Sequence, residues 1–132
     1  MAGRQLLRTA IVTAVAILSL SAAGTTALAA SADTTPPSAP RLLYATGYYC
    51  LTLIVGVDRS TDDQTTQSQL TYDVFADGSR IGSMADLGSE SGVWSIQHLT
   101  HTGPNTITVK AVDAAGNRSA PSTGWVATGY PC

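Results

Sequence analysis

Basic charge is scarce in this chain. Of its seven lysines and arginines, Arg4 and Arg8 stand near the start. Beyond residue 29 only Arg41, Arg59, Arg80, Lys110 and Arg118 remain, against nine acidic residues, a net charge of −4. So few cations cannot neutralise a run of phosphates, which argues against nucleic acid as a partner. The same shortage disfavours an anionic membrane surface. Histidine is limited to His98 and His101. They are three positions apart near the end of a strand, where i and i+3 point to opposite faces, so no metal pair is expected. No GxGxxG, P-loop, CxxC or HExxH pattern occurs. Gly88-Ser89-Glu90-Ser91-Gly92 imitates a nucleophile elbow but carries Glu90 where the nucleophilic serine would stand.

Long apolar runs are limited to one, Ala10 to Leu20. It follows two arginines, closes in small residues, and is shorter than the roughly 20 residues that span a membrane. Ala27-Leu28-Ala29 fits the small-x-small rule of a signal-peptidase site. Residues 1–29 therefore read as a signal peptide, cleaved after Ala29 or Ala30. The protein that remains is expected to be secreted, free of the membrane and monomeric. Cleavage after Ala29 leaves 103 of the 132 residues, enough for one domain with a modest core.

Cysteine is limited to Cys50 and Cys132. In an exported chain two cysteines most simply form one disulfide. Two thiols without a neighbouring histidine make only half a zinc site. Each cysteine ends a copy of one phrase, Ala45-Thr46-Gly47-Tyr48-Tyr49-Cys50 and Ala127-Thr128-Gly129-Tyr130-Pro131-Cys132. Similar surroundings for the two sulfurs follow.

Past residue 30 the chain shows period-two alternation punctuated by turn residues, with no helical period. Residues 30–40 include Thr34 to Pro40, a stiff, extended lead-in. Strands are expected over 41–45, 51–57, 70–76, from Ser79 through Ile81, over 93–99, 106–112 and 121–128. Asp77-Gly78 is a type I′ hairpin signal, because both central positions need positive φ. Asp113 to Asn117 makes a tight turn with Gly116 at its left-handed position. Trp94 shares its face with Ile96 and is expected in the core. Seven short antiparallel strands predict an all-β, two-sheet sandwich over residues 41–132. In that up-and-down order the start of the second strand and the end of the seventh share a pole. Cys50 and Cys132 sit at those two points.

Residues 33–44 (DTTPPSAPRLLY), 70–82 (LTYDVFADGSRIG) and 105–122 (NTITVKAVDAAGNRSAPS) resemble a bacterial fibronectin type III domain, an Ig-like β-sandwich found in secreted polysaccharide-degrading enzymes. Two departures stand out. Val55 or Val57 occupies the place of the family's second-strand tryptophan, and Asn105 that of its sixth-strand tyrosine. The disulfide is an addition to the usual pattern.

The resemblance implies a non-catalytic binding or interaction module. With the domain directly behind the signal peptide, binding to extracellular glycan, cell wall or a protein surface is the expected role, rather than spacing. Tyr48, Tyr49 and Tyr130 flank the expected disulfide, and Trp125 lies in the last strand; exposed aromatics stack on sugars or anchor proteins. The alternative for the tyrosines is that they cover the disulfide and close the end of the sandwich. An alternative role is a secreted inhibitor or interaction protein presenting a rigid loop to an enzyme, with Asn117 and Arg118 as candidate anchors. Asn117-Arg118-Ser119 has the form of a glycosylation sequon. Asp58, Asp62 and Asp63 gather in one loop, but their spacing matches no calcium loop. No enzyme is expected, since a sandwich of this length has little room for a pocket of convergent polar groups, and no cofactor or metal is expected.

Overall fold

The computed structural model describes residues 32–86 and 92–132. The leader expected over 1–29 and the Gly88–Ser91 stretch of the elbow-like phrase lie outside it. Seven strands follow in order: β1 (Leu42–Gly47), β2 (Thr52–Val57), β3 (Thr71–Ala76), β4 (Ser79–Ala85), β5 (Val93–His98), β6 (Gly103–Val112) and β7 (Trp125–Gly129). They form two antiparallel sheets, β1-β2-β5 and β4-β3-β6-β7. A single 3₁₀ turn, Gln67–Gln69, interrupts the polar β2–β3 loop.

Alternation decides which side chains meet between the sheets. Leu53, Val55 and Val57 of β2 and Ile107, Val109 and Ala111 of β6 turn inward and are fully buried. Tyr72 and Val74 join them from β3. Tyr72 is the largest fully buried side chain, and it supplies the aromatic bulk that the second strand lacks. Its hydroxyl accepts a hydrogen bond from the Ser60 backbone N–H at 3.0 Å, so the ring also anchors the loop leaving β2. Burial raises the Tyr72 phenol above its ordinary 10.0.

Trp94 does not fill the core. It is 61% exposed, and Ile96 is 60% exposed. The reason is register: Val57, Val55 and Leu53 pair with Val93, Ser95 and Gln97, so the inward side of β5 carries those three residues. Trp94 and Ile96 pair with Gly56 and Ile54 and face outward. A one-residue shift in strand parity carries a whole apolar set from one face to the other. On that outer face the Tyr44 ring covers Gly56, where a Cβ would lie 2.4 Å from the ring.

Asp77-Gly78 forms the expected two-residue hairpin between β3 and β4, with φ of 48° and 80°. The Asp113–Asn117 turn also forms, with Gly116 at φ 93°. The last strand begins later than the sequence predicts. Over 118–124 the chain still follows β6, but serine hydroxyls replace part of the ladder. Ser122 Oγ accepts from the Val109 N–H at 3.0 Å, and Ser119 Oγ from the Ala111 N–H at 2.9 Å. Pro121, which has no N–H to give, sits between them.

Two buried carboxylates are paired with arginines. Asp73, 3% exposed, accepts from Arg80 Nε at 2.8 Å and Arg118 Nη1 at 2.5 Å. Asp86, also 3% exposed, accepts from Arg59 Nη2 at 2.8 Å.

Placing Tyr72 inside and Trp94 outside separates two substitutions. Tyr72→Ala is expected to cost on the order of 3–5 kcal/mol. Trp94→Ala is expected to cost less than about 1 kcal/mol. Equilibrium denaturation of both variants checks the ordering.

Candidate functional site

The pole where β1 and β7 end is built on a hairpin turn of an uncommon kind. Between β1 and β2 the central residues Cys50 and Leu51 both adopt left-handed backbone, φ 58° and 56°. The Thr52 N–H bonds the Tyr49 carbonyl across them at 3.3 Å. Such turns normally use Asn-Gly or Gly-Gly, because a Cβ crowds the backbone there by roughly 1–2 kcal/mol per residue. Here the surroundings hold the strain. Cys50 is bonded to Cys132, with their Cα atoms 4.2 Å apart. The Cys50 and Leu51 N–H groups donate to the carbonyls of Pro131 and Tyr130, at 3.3 and 2.9 Å. The Leu51 carbonyl accepts from the Leu99 N–H at 2.8 Å.

The two copies of the Ala-Thr-Gly-Tyr phrase play matching parts. Ala45 and Ala127 are both 3% exposed and close the core. Gly47 and Gly129 allow close backbone approach: a Cβ on Gly47 would stand 1.8 Å from the Thr128 carbonyl oxygen, and one on Gly129 2.5 Å from the His101 carbonyl oxygen. Tyr48 and Tyr130 follow, exposed, and each phrase ends in a half of the disulfide.

Tyr48, Tyr49 and Tyr130 come together. With Gly47 they line an open pocket of about 280 Å³. Tyr49, at the turn, is 78% exposed, and its ring centroid lies 6.1 Å from that of Tyr130 at an interplanar angle of 45°. Among the described residues, no charged side chain lines this pocket. Chemically it offers tilted aromatic faces and phenol hydroxyls to a neutral, partly apolar ligand. Trp125 is not part of it. That residue opens β7 and is 44% exposed, four residues from Gly129 at the pole, roughly 13 Å along a strand. The exposed row Tyr44, Trp94 and Ile96 on the outer face of the three-stranded sheet is a further apolar surface, and it includes the Trp94 face that alternation had assigned to the core.

The same pole holds the one histidine with a defined role. His101 Nε2 meets Asp77 Oδ2 at 2.9 Å and Nδ1 meets the Thr102 carbonyl at 2.9 Å. Both partners are acceptors, so both nitrogens donate in the protonated ring. The Thr102 carbonyl and then the Asp77 carboxylate raise the His101 pKa above 6.5. Asp77 is held below 3.8, first by the Thr106 N–H and then by His101. His98 ends β5 at the same pole, exposed and paired with Thr52. Asn105, in the place of the family's tyrosine, is fully buried, and its Nδ2 donates to the Gly103 carbonyl at 2.9 Å, fixing the turn into β6.

Asn117 and Arg118 are not free anchors. Asn117 Nδ2 donates to Asp113 Oδ2 at 2.8 Å and to the Asp33 carbonyl at 3.1 Å. Arg118 is bound to Asp73.

The three-on-four sheet arrangement makes this an Ig-like β-sandwich. Within that class its fold is the fibronectin type III-like one. The chain is similar to the crystal structure of the spore cortex lytic enzyme SleM of Clostridium perfringens, with a TM-score of 0.52, 21% identity, and coverage of 71% of this chain and 29% of that one. It is similar to the fibronectin(III)-like modules of Clostridium thermocellum CbhA, with a TM-score of 0.52, 20% identity, and coverage of 73% and 47%. The chain thus spans less than half the length of either structure. No protein-family model and no curated protein matches it.

The His101–Asp77 pair gives a pH signature. A raised histidine pKa contributes stability that is complete below the unfolded value, 6.5, and fades as pH rises through the folded value. The lowered Asp77 pKa contributes stability complete above 3.8 and lost as pH falls through the folded value. His101→Ala is therefore expected to lower the thermal midpoint more at about pH 5.5 than at about pH 8.5. Melting curves of both proteins at the two pH values test it.

Proposed function

We propose that this chain is an exported, non-catalytic binding module that holds an uncharged extracellular glycan on Tyr48, Tyr49 and Tyr130. The observation that carries the reading is the strained turn at Cys50-Leu51. Strained backbone persists where the surroundings over-determine it, and it concentrates at ligand sites. Here it lifts Tyr49 into solvent beside Tyr130. Rings held in place before binding lose little entropy on contact. The described lining, three tyrosines and a glycine, suits a neutral sugar face better than an ionic ligand.

Export rests on the leader-like first 29 residues and is consistent with the disulfide. A wall-directed role agrees with the similarity in fold to part of a spore cortex lytic enzyme.

Sedimentation with insoluble chitin, cellulose and bacterial cell wall tests the reading. The purified protein is expected to pellet with at least one of them. Tyr49→Ala and Tyr130→Ala are expected to weaken binding about tenfold each, the scale of one base-like or sugar-like stacking contact of about 1–3 kcal/mol. Failure to pellet with any of the three removes the glycan reading.

A further inference from the structure

At the far end of β6, away from the tyrosines, three carboxylates meet from three distant segments. Asp33 comes from the lead-in, Asp62 from the β2–β3 loop and Asp113 from the turn after β6. One oxygen of each lies within 4.8 Å of the others. Three negative charges at that separation repel one another unless a cation stands between them.

The protein offers none among its described residues. Arg41 is bound to Asp58, Arg59 to Asp86, and Arg80 and Arg118 to Asp73. Lys110 lies over the Phe75 ring, 5.7 Å from its centroid. Each basic residue beyond the leader is thus engaged elsewhere.

A second observation is independent of the clustering. Asp33 Oδ2 and Asp62 Oδ1 each have under 1 Å² of accessible surface and accept no hydrogen bond. Their sister oxygens are held: Asp33 Oδ1 accepts from the Thr35 N–H at 3.0 Å, and Asp62 Oδ2 from the Thr65 and Gln64 N–H groups at 2.7 and 3.1 Å. Asp113 is 5% exposed, and Asn117 orients both of its oxygens. A buried carboxylate oxygen without a donor costs on the order of 1–3 kcal/mol or more, and two in one carboxylate cluster point to a missing positive ligand.

We propose that Asp33, Asp62 and Asp113 bind a divalent cation of the hard, oxygen-preferring class, calcium. The donor set is oxygen alone, without histidine or thiolate, which suits calcium over zinc or copper. Three carboxylates supply part of the six to eight oxygens calcium takes, and water completes the shell. A bound ion ties the lead-in and two loops into one unit. This inference is independent of the glycan reading, since the two sites lie at opposite ends of the sandwich.

The test is a calcium titration of the chelator-treated protein, read by its thermal midpoint. The midpoint is expected to rise saturably, with an apparent Kd in the range of about 0.1–1 mM, and less with magnesium. Asp33→Asn and Asp62→Asn are each expected to weaken the apparent affinity about tenfold, because affinity follows ligand charge. Asp33 precedes the first strand, so its replacement leaves the core intact. Asp63→Asn, adjacent but outside the cluster, is expected to change nothing. A midpoint indifferent to calcium, or a calcium shift that survives both Asp33→Asn and Asp62→Asn, overturns the proposal.

Discussion

The bond between Cys50 and Cys132 is the constraint on which this pole of the molecule depends. It joins residues 82 positions apart. In the chain-entropy model, closing a loop of that length stabilises by roughly 4 kcal/mol. A sandwich of this size has a small net stability, on the order of 5–15 kcal/mol, so that contribution is a large share of the whole. Its local effect is as important. Two consecutive left-handed residues, one of them leucine, would not hold unaided. The covalent bond and the hydrogen bonds to Tyr130 and Pro131 fix them, and the turn then presents Tyr49.

The disulfide also accounts for the repeated phrase. β1 and β7 belong to different sheets but run close together at this pole, as the approach of Gly47 to Thr128 requires. Each strand needs a small buried residue, then a glycine, then a residue that leaves the interface, then a cysteine. Ala, Gly, Tyr and Cys answer those needs in order, twice.

Much of this was legible in the sequence because the signals were local. Alternation in Leu51–Val57 and Thr106–Val112 placed the central strands, and Asp77-Gly78 placed a hairpin. Strand parity brought Cys50 to Cys132. What was not legible depended on partners. Trp94 and Ile96 alternate with Val93 and Ser95 as a core strand would, and only the pairing with β2 decides which set faces inward. Ser119 and Ser122 replace ladder partners, which moved the start of β7. The tyrosine cluster was suggested by its nearness to the cysteines, but the strained turn beneath it carries no sequence signal, since neither Cys50 nor Leu51 favours positive φ. The carboxylate cluster was hidden because Asp33 and Asp113 reach Asp62 only in the folded chain. The neighbours that spacing offered, Asp58 and Asp63, are not in it, and Asp58 is bound to Arg41.

The central claim is that the disulfide holds the turn that displays the tyrosines, while the core folds without it. Amide hydrogen exchange in the native protein and in the Cys50→Ser/Cys132→Ser double variant measures this residue by residue. The account predicts that the Leu51 amide, which donates to Tyr130, loses most of its protection in the variant, while the Val74 and Val109 amides keep protection up to the lowered global stability. Equal protection of Leu51, relative to global stability, in both proteins would contradict it.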